Sequence, residues 1–270
     1  MNQPRHLILI AAFTATLAGC SSTTAPGAVD VNRRQLLLVS SEEVDRMSTA
    51  AFREQNQKAQ AAGVLITRGP EVERVNRIAA RLRRQASVFR PDAANWQWET
   101  AIIDQPVINA SCGPGGKITV YTGLIRKLNL SDDELAMVMG HEIAHALREH
   151  GRERVSQAAA QNVLATAAVG ALGGGQSQVQ MAEQAATLLY GLPNSRKNEI
   201  EADKIGLELA ARAGFDPNAS VTLWQKMGQA NEGAAPPAFL STHPTDASRI
   251  AELRRLIPTV QPLYAGASKS

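Results

Sequence analysis

Ser131-Asp132-Asp133-Glu134-Leu135-Ala136-Met137-Val138-Met139-Gly140-His141-Glu142-Ile143-Ala144-His145 is the stretch whose reading decides the fold. Its first four residues make a capping box, in which a serine and the glutamate three positions on each satisfy a backbone N–H that an opening helix leaves free. An apolar run follows, and a helix is predicted as far as His150, with Gly151 as its stop. Inside it, His141-Glu142-Ile143-Ala144-His145 reads HExxH. Residues four apart share a helix face, so both imidazoles can reach one Zn²⁺. Glu142 lies between them in sequence, where its carboxylate can be aimed at a water on that metal.

A metal that does chemistry needs a third protein ligand and an open position. Glu199-Ile200-Glu201-Ala202-Asp203 lies downstream on a predicted helix. Glu199 and Asp203 are four apart and share a face, while Glu201 points elsewhere and is the alternative ligand. The competing explanation is a solvated acidic face beside Arg196 and Lys197.

With HExxH followed by ExxxD, the chain resembles the HtpX/Oma-type membrane-associated zinc metallopeptidases, gluzincins that also include the CAAX prenyl endopeptidases. The resemblance runs from about residue 35 to 257. It implies an α+β, mostly helical, zincin-type metallopeptidase domain with a small antiparallel sheet and an active-site edge strand. It further implies one Zn²⁺ per chain on His141, His145 and Glu199, with Glu142 as general base and Asp203 orienting a zinc histidine. Asn109 to Lys117, continuing through Thr122-Gly123-Leu124, looks like the family's NAxxxPGG segment and the strand bordering its active site. Lys117 to Tyr121 is therefore expected to receive a substrate strand. Ser111 and Gly113 stand where relatives often carry an aromatic and a larger apolar residue, which leaves the pocket shape open.

His243-Pro244, with Arg249 six residues after the histidine, matches a further family segment that lies by the zinc. His243 is expected either to stabilise the transition state or to fill the fourth coordination position as a latch. Arg249 would hold the loop or the oxyanion. Against both stands an ordinary helix start at His243-Pro244. His150, off the face of His145 in a continuous helix, is expected to complement the helix C-terminus. Cys112 is expected to be a buried thiol, with a cysteine gating the zinc as the alternative.

Outward from this centre, Ser40 with Glu43 opens a helix to about Ala62. Pro70 begins a second, with Val72, Val75, Ile78, Ala79 and Leu82 on one face. Trp96, Trp98, Thr100 and Ile102 alternate as in a strand, and Val107-Ile108 and Lys117 to Tyr121 are further strand candidates around a Gly113–Gly116 turn. Later helices are expected near 152–170, 178–190, 195–213, 217–230 and 245–257.

At the N-terminus, the apolar run Leu7 to Leu17 has the length of a signal-peptide core and is too short to span a bilayer. It ends in Leu17-Ala18-Gly19-Cys20, which resembles the bacterial lipobox, with Cys20 as the lipidated residue; an ordinary secretory signal cut after Ala18 is the alternative. Ser21 as the second mature residue suggests the outer membrane, facing the periplasm, and Ser21 to Gly27 reads as a flexible tether. The expected organisation is a signal over 1–19, a lipidated tether over 20–34, the peptidase domain over 35–257 and a tail over 258–270.

The 270 residues are 44% hydrophobic and 20% charged, which excludes a disordered chain. With 28 basic against 25 acidic residues and 4% aromatics, there is neither the charge nor the stacking surface for nucleic acid. Two cysteines exclude a disulfide scaffold. The function implied by the resemblance is a zinc metalloendopeptidase cutting unfolded or misassembled envelope polypeptides, with outer-membrane assembly machinery as a possible partner. The alternative is a chaperone-like lipoprotein whose zinc site is latched by His243.

Overall fold

The capping box forms in both directions, with Glu134 N–H donating to Ser131 Oγ at 3.2 Å and Ser131 N–H to Glu134 Oε2 at 2.8 Å. The helix it opens, Asp132–Leu147, is buried on every side from Glu134 onward, so it is the axis around which the rest packs. Burying each of its large apolar side chains, such as Leu135 and Ile143, contributes about 1.5–3 kcal/mol. In the computed structural model, residues 20–169, 187–231, 237–244 and 247–268 are described. The expected signal, and all but the end of the helix expected at 178–190, lie outside them.

In chain order the elements are β1 (Cys20–Ser21), β2 (Gln35–Leu36), α1 (Ser41–Ala61), β3 (Leu65–Ile66) and α2 (Pro70–Phe89). Then come β4 (Glu99–Ile103), β5 (Ala110–Gly113), β6 (Lys117–Tyr121), α3 (Thr122–Leu128), α4 (Asp132–Leu147) and α5 (His150–Val169). After a single wide turn at Thr187–Gly191 follow α6 (Arg196–Arg212), α7 (Ala219–Asn231), α8 (Ala238–Thr242) and α9 (Ala247–Gly266). Ser40 caps α1, Pro70 sits in the first turn of α2, and the five apolar residues read onto one face of α2 are all buried.

The fold class stands as expected, mostly helical with a small sheet, but the sheet is mixed. Its order is β3-β4-β6-β5, and β4 and β6 run parallel while the other pairs are antiparallel. β5 forms a hairpin on the outer side of β6, and β6 runs with β4. Lys117 to Tyr121 is thus an inner strand with both edges paired, and the edge strands are β3 and β5. Val107-Ile108 is not a strand; the Ile108 carbonyl accepts instead from Phe239 N–H. Trp96 and Trp98 precede β4 with their rings in tilted contact, 5.3 Å between centroids, and the Trp98 indole donates to Ala93 O.

Two boundaries also differ. α4 stops at Leu147 rather than His150, because Glu149 takes a left-handed backbone with φ of 52° and starts the chain in a new direction. A side chain there is strained, and the carboxylate anchors it through Ser41 Oγ, Arg90 and Arg152. α9 runs through Pro258 and Pro262 to Gly266, past the expected stop at 257. Both prolines are on the exposed side, where buried Leu256 and Val260 pin the helix from the other face.

The stretch expected as a flexible tether is docked. β1 pairs with β2, Ala25 N–H donates to Phe89 O, and Val29 and Val31 are buried in the core. Two valines and an arginine, Arg33, supply the apolar and ionic attachment that a tether would lack.

Candidate active site

α4 and α6 cross at Gly140 and Gly206, and the absence of both side chains lets their backbones touch. A Cβ at Gly206 would meet His141 N at 2.7 Å, and one at Gly140 would meet Gly206 O at 2.9 Å. This close crossing sets the acidic face of α6 against the HExxH face of α4.

The consequence is a buried cluster of four metal-ligating side chains, His141, His145, Glu199 and His243, with one donor atom from each within 4.8 Å of the others. His141 Nε2 lies 3.1 Å from His145 Nε2, 3.3 Å from His243 Nδ1 and 3.4 Å from Glu199 Oε2. His145 Nε2 is 3.3 Å and His243 Nδ1 3.0 Å from Glu199 Oε1. A tetrahedral ion bound at about 2.0–2.1 Å separates its ligand atoms by about 3.3–3.4 Å. The donor set therefore fits a metal. Its protons agree: His141 Nδ1 faces Asp203 Oδ1 at 3.0 Å, so donation there leaves a lone pair on Nε2, toward the cluster.

Glu142 projects beside these groups. Its Oε1 has no hydrogen-bond partner among the described residues and lies 3.4 Å from His243 Nε2. Burial pushes its carboxyl above the usual carboxylate range, outweighing the nearby histidines, which is the direction a proton acceptor near neutrality requires. Burial opposes protonation of His141, but the Asp203 and Glu199 carboxylates prevail and raise it to about 9, so a metal binding at Nε2 would displace a proton there. At His145 burial wins and its pKa is driven well down.

Asp203 and Arg249 form a two-bonded ion pair, Nε–Oδ2 and Nη2–Oδ1 both 2.7 Å, and Arg249 Nη1 lies 2.8 Å from Glu199 Oε2 and from Pro244 O. The guanidinium also lies over the Trp224 ring at 4.1 Å. Arg249, expected among the catalytic residues, is fully buried and committed to these groups. It holds Asp203, Glu199 and the His243-Pro244 loop in place rather than facing a substrate. Phe239 stacks on His243 at 4.4 Å between ring centroids, fixing that imidazole against the cluster.

Glu142, His145 and His243 line a cavity of about 400 Å³ whose lining also includes Ala110, Ser111 and Cys112 of β5. The edge strand β5 is therefore at the site, and Lys117, Thr119 and Tyr121 of the inner strand β6 line the same cavity. A Cβ on Gly113 would meet the Tyr190 hydroxyl and Ser48 Oγ, which bond each other at 2.7 Å, so a larger residue there would have to displace that pair. Cys112 is buried and unpaired, and burial holds its thiol well above the usual range.

Sequence reasoning missed His150 as a site residue. Because the chain turns at Glu149, His150 folds back and its Nδ1 lies 2.8 Å from His145 Nδ1. Glu201, the alternative ligand, does point away from the cluster: it bonds His150, Arg33 and Arg148. The only sequence signal for His150 was its spacing from His145, which is uninformative unless the helix break is known.

Comparison with known proteins agrees with this geometry. Residues 70–257 match the family model described as Peptidase family M48. The mitochondrial metalloendopeptidase OMA1 of Schizosaccharomyces pombe is 32% identical over 231 residues, 85% of this chain and 66% of that protein. OMA1 of Arabidopsis thaliana is 40% identical over 156 residues, 56% of this chain and 30% of that one. The beta-barrel assembly-enhancing protease of Escherichia coli K12 is 33% identical over 178 residues, 62% of this chain and 36% of that one. The chain thus spans from under a third to just under two thirds of the length of these relatives. HExxH on α4, ExxxD on α6 and a family match that contains both lead to one conclusion: this chain belongs to Peptidase family M48.

Proposed function

We propose that the chain is a zinc-dependent metalloendopeptidase that cleaves unfolded or misassembled envelope polypeptides, as part of outer-membrane protein quality control. The observation that carries this is the meeting of three things at one cavity: a four-ligand cluster of which His145 and His243 line the wall, a Glu142 carboxylate oxygen that makes no hydrogen bond among the described residues, and a sheet edge. His141, His145 and Glu199 would hold the ion. Zinc, when bound, supplies Lewis-acid polarisation of a peptide carbonyl and makes water a stronger acid. Glu142 Oε1 takes the proton from the attacking water and returns it to the leaving amine. β5 holds the substrate backbone by strand addition, so only an extended chain with unpaired backbone groups fits. Asp203, clamped by Arg249, keeps His141 in the tautomer that presents Nε2.

The envelope setting is supported by the lipobox-like Leu17-Ala18-Gly19-Cys20 and by the name of the Escherichia coli relative; the OMA1 relatives are named as mitochondrial. Lipidation of Cys20 would hold the chain on the outer membrane, facing the periplasm. No helix among the described residues is long and apolar enough to cross a membrane.

A second reading is favoured by His243, whose Nδ1 lies within the ligand cluster. If it occupies the fourth position permanently, the protein binds outer-membrane polypeptides as a chaperone without cutting them. Cleavage of denatured casein by the purified chain, with and without a zinc chelator, separates the two. Chelator-sensitive cleavage with about one zinc per chain is expected; stoichiometric zinc with binding but no cleavage supports the latched chaperone, and absence of zinc defeats both.

A further inference from the structure

His141 and His145 are both expected to hold the metal through Nε2, so each Nδ1 must keep its proton and needs an acceptor. For His141 that acceptor is Asp203, the aspartate of ExxxD. For His145 nothing in HExxH or ExxxD supplies one. The structure places His150 there, fully buried, with its Nδ1 2.8 Å from His145 Nδ1 and its Nε2 3.1 Å from Glu201 Oε2.

Two imidazoles meeting nitrogen to nitrogen leave the direction of the hydrogen bond undecided, and the group beyond them decides it. Glu201 is acceptor-only when ionised, and two guanidinium groups keep it so: Arg33 through Nε at 2.7 Å and Nη2 at 3.1 Å, and Arg148 through Nε at 3.1 Å. Facing this carboxylate, His150 Nε2 must carry the proton. His150 Nδ1 then has a lone pair and accepts from His145 Nδ1–H, and the remaining lone pair of His145, on Nε2, faces Glu199 and the metal position. The reverse order would set the His150 Nε2 lone pair against a carboxylate oxygen in a buried site, with no donor between them.

We propose that His150 and Glu201 are positioning residues for the metal site: they fix the tautomer and ring orientation of His145 as Asp203 does for His141. Neither touches substrate or metal. The inference rests on the reading of His145 as a ligand and goes beyond it by assigning what orients it. It also explains the left-handed Glu149, the strained residue that turns His150 back onto α4.

The test is the zinc dissociation constant of the full chain, measured by competition with a chromogenic chelator, for four proteins: wild type, His150→Leu, His150→Asn and Glu201→Gln. Leucine fills the space without accepting a proton, whereas the asparagine Oδ1 is bonded to Cγ as the histidine Nδ1 is, and accepts. Zinc binding is expected to weaken about 10–100-fold in His150→Leu and Glu201→Gln, the usual consequence of losing a group that orients a ligand. His150→Asn should stay within about threefold of wild type. A purely structural role would lower the melting temperature of both position-150 variants without separating their zinc constants. Folded His150→Leu and Glu201→Gln with wild-type constants, or His150→Asn as weak as His150→Leu, would overturn the assignment. Should the position-150 variants not fold, Glu201→Gln decides by the same criterion. Wild-type protein without zinc would instead overturn the metal reading itself.

Discussion

Replacing Gly206 by alanine places one methyl group at the crossing of α4 and α6. Its nearest neighbours would be His141 N at 2.7 Å and Gly140 C and His141 Cα at 2.9 Å, all backbone, so no side chain can rotate out of the way. Reaching the 3.4 Å of ordinary contact moves the helices apart by about 0.7 Å. Glu199 and Asp203 ride on α6 within two turns of the methyl, and metal ligands tolerate only about 0.2 Å of displacement. The better helix propensity of alanine, about 1 kcal/mol, offsets part of an overpacking cost of about 1–3 kcal/mol, so the fold survives while the site is displaced. We expect a loss of about 10²-fold in kcat/KM toward an unfolded polypeptide, with weaker zinc retention and a stability change under about 2 kcal/mol in a urea titration. Gly228→Ala on α7, where a Cβ meets nothing within 4 Å, is the control and should be active and slightly stabilised. Wild-type kcat/KM and zinc content in Gly206→Ala would refute the view that this crossing sets the ligand geometry.

Three other outcomes follow from the same geometry. His243→Ala should cut unfolded protein faster than wild type at equal zinc occupancy, because His243 Nδ1 competes for the open position; a slower rate would assign it to the transition state, and no change would reject both roles. Cys112 in the folded protein should not react with a thiol reagent at pH 8, since its thiolate forms only well above the usual range, and should react fully in denaturant; rapid native labelling would contradict its burial. Cys20→Ala should release the chain from membranes into a soluble or unprocessed form, and wild-type protein that washes off with salt alone would end the lipid-anchor reading.

The local signals in the sequence reported local structure faithfully. Ser131 and Glu134 capped the helix they flanked, the α2 stripe was buried as spaced, and Glu199 and Asp203 came out on one face. What failed depended on contacts remote in sequence. The sheet came out mixed because β5 paired on the far side of β6, a choice made by tertiary packing and invisible to alternation. The segment before Gln35 read as a tether because its serines and threonines are polar, yet Thr23 bonds Gln35 and Arg33 bridges Glu153 and Glu201 across the chain. Prolines at 258 and 262 pointed to a helix end, and an exposed face allowed the helix to continue. His150 was misassigned because its position depends on one left-handed residue, Glu149, of a type that seldom adopts that backbone. The role of Arg249 was narrowed rather than reversed, since only the structure shows all its nitrogens engaged by Asp203, Glu199 and Pro244.

The central claim, that Glu142 is the base of a metallopeptidase, is tested most directly by initial rates of denatured-casein cleavage for wild type and Glu142→Gln at equal zinc content. The amide keeps the size of the side chain and cannot accept a proton from water. Glu142→Gln is expected to keep its zinc and its fold while the rate falls by at least about 10²–10⁴-fold. A zinc-loaded Glu142→Gln protein that cuts casein at near the wild-type rate would contradict the account.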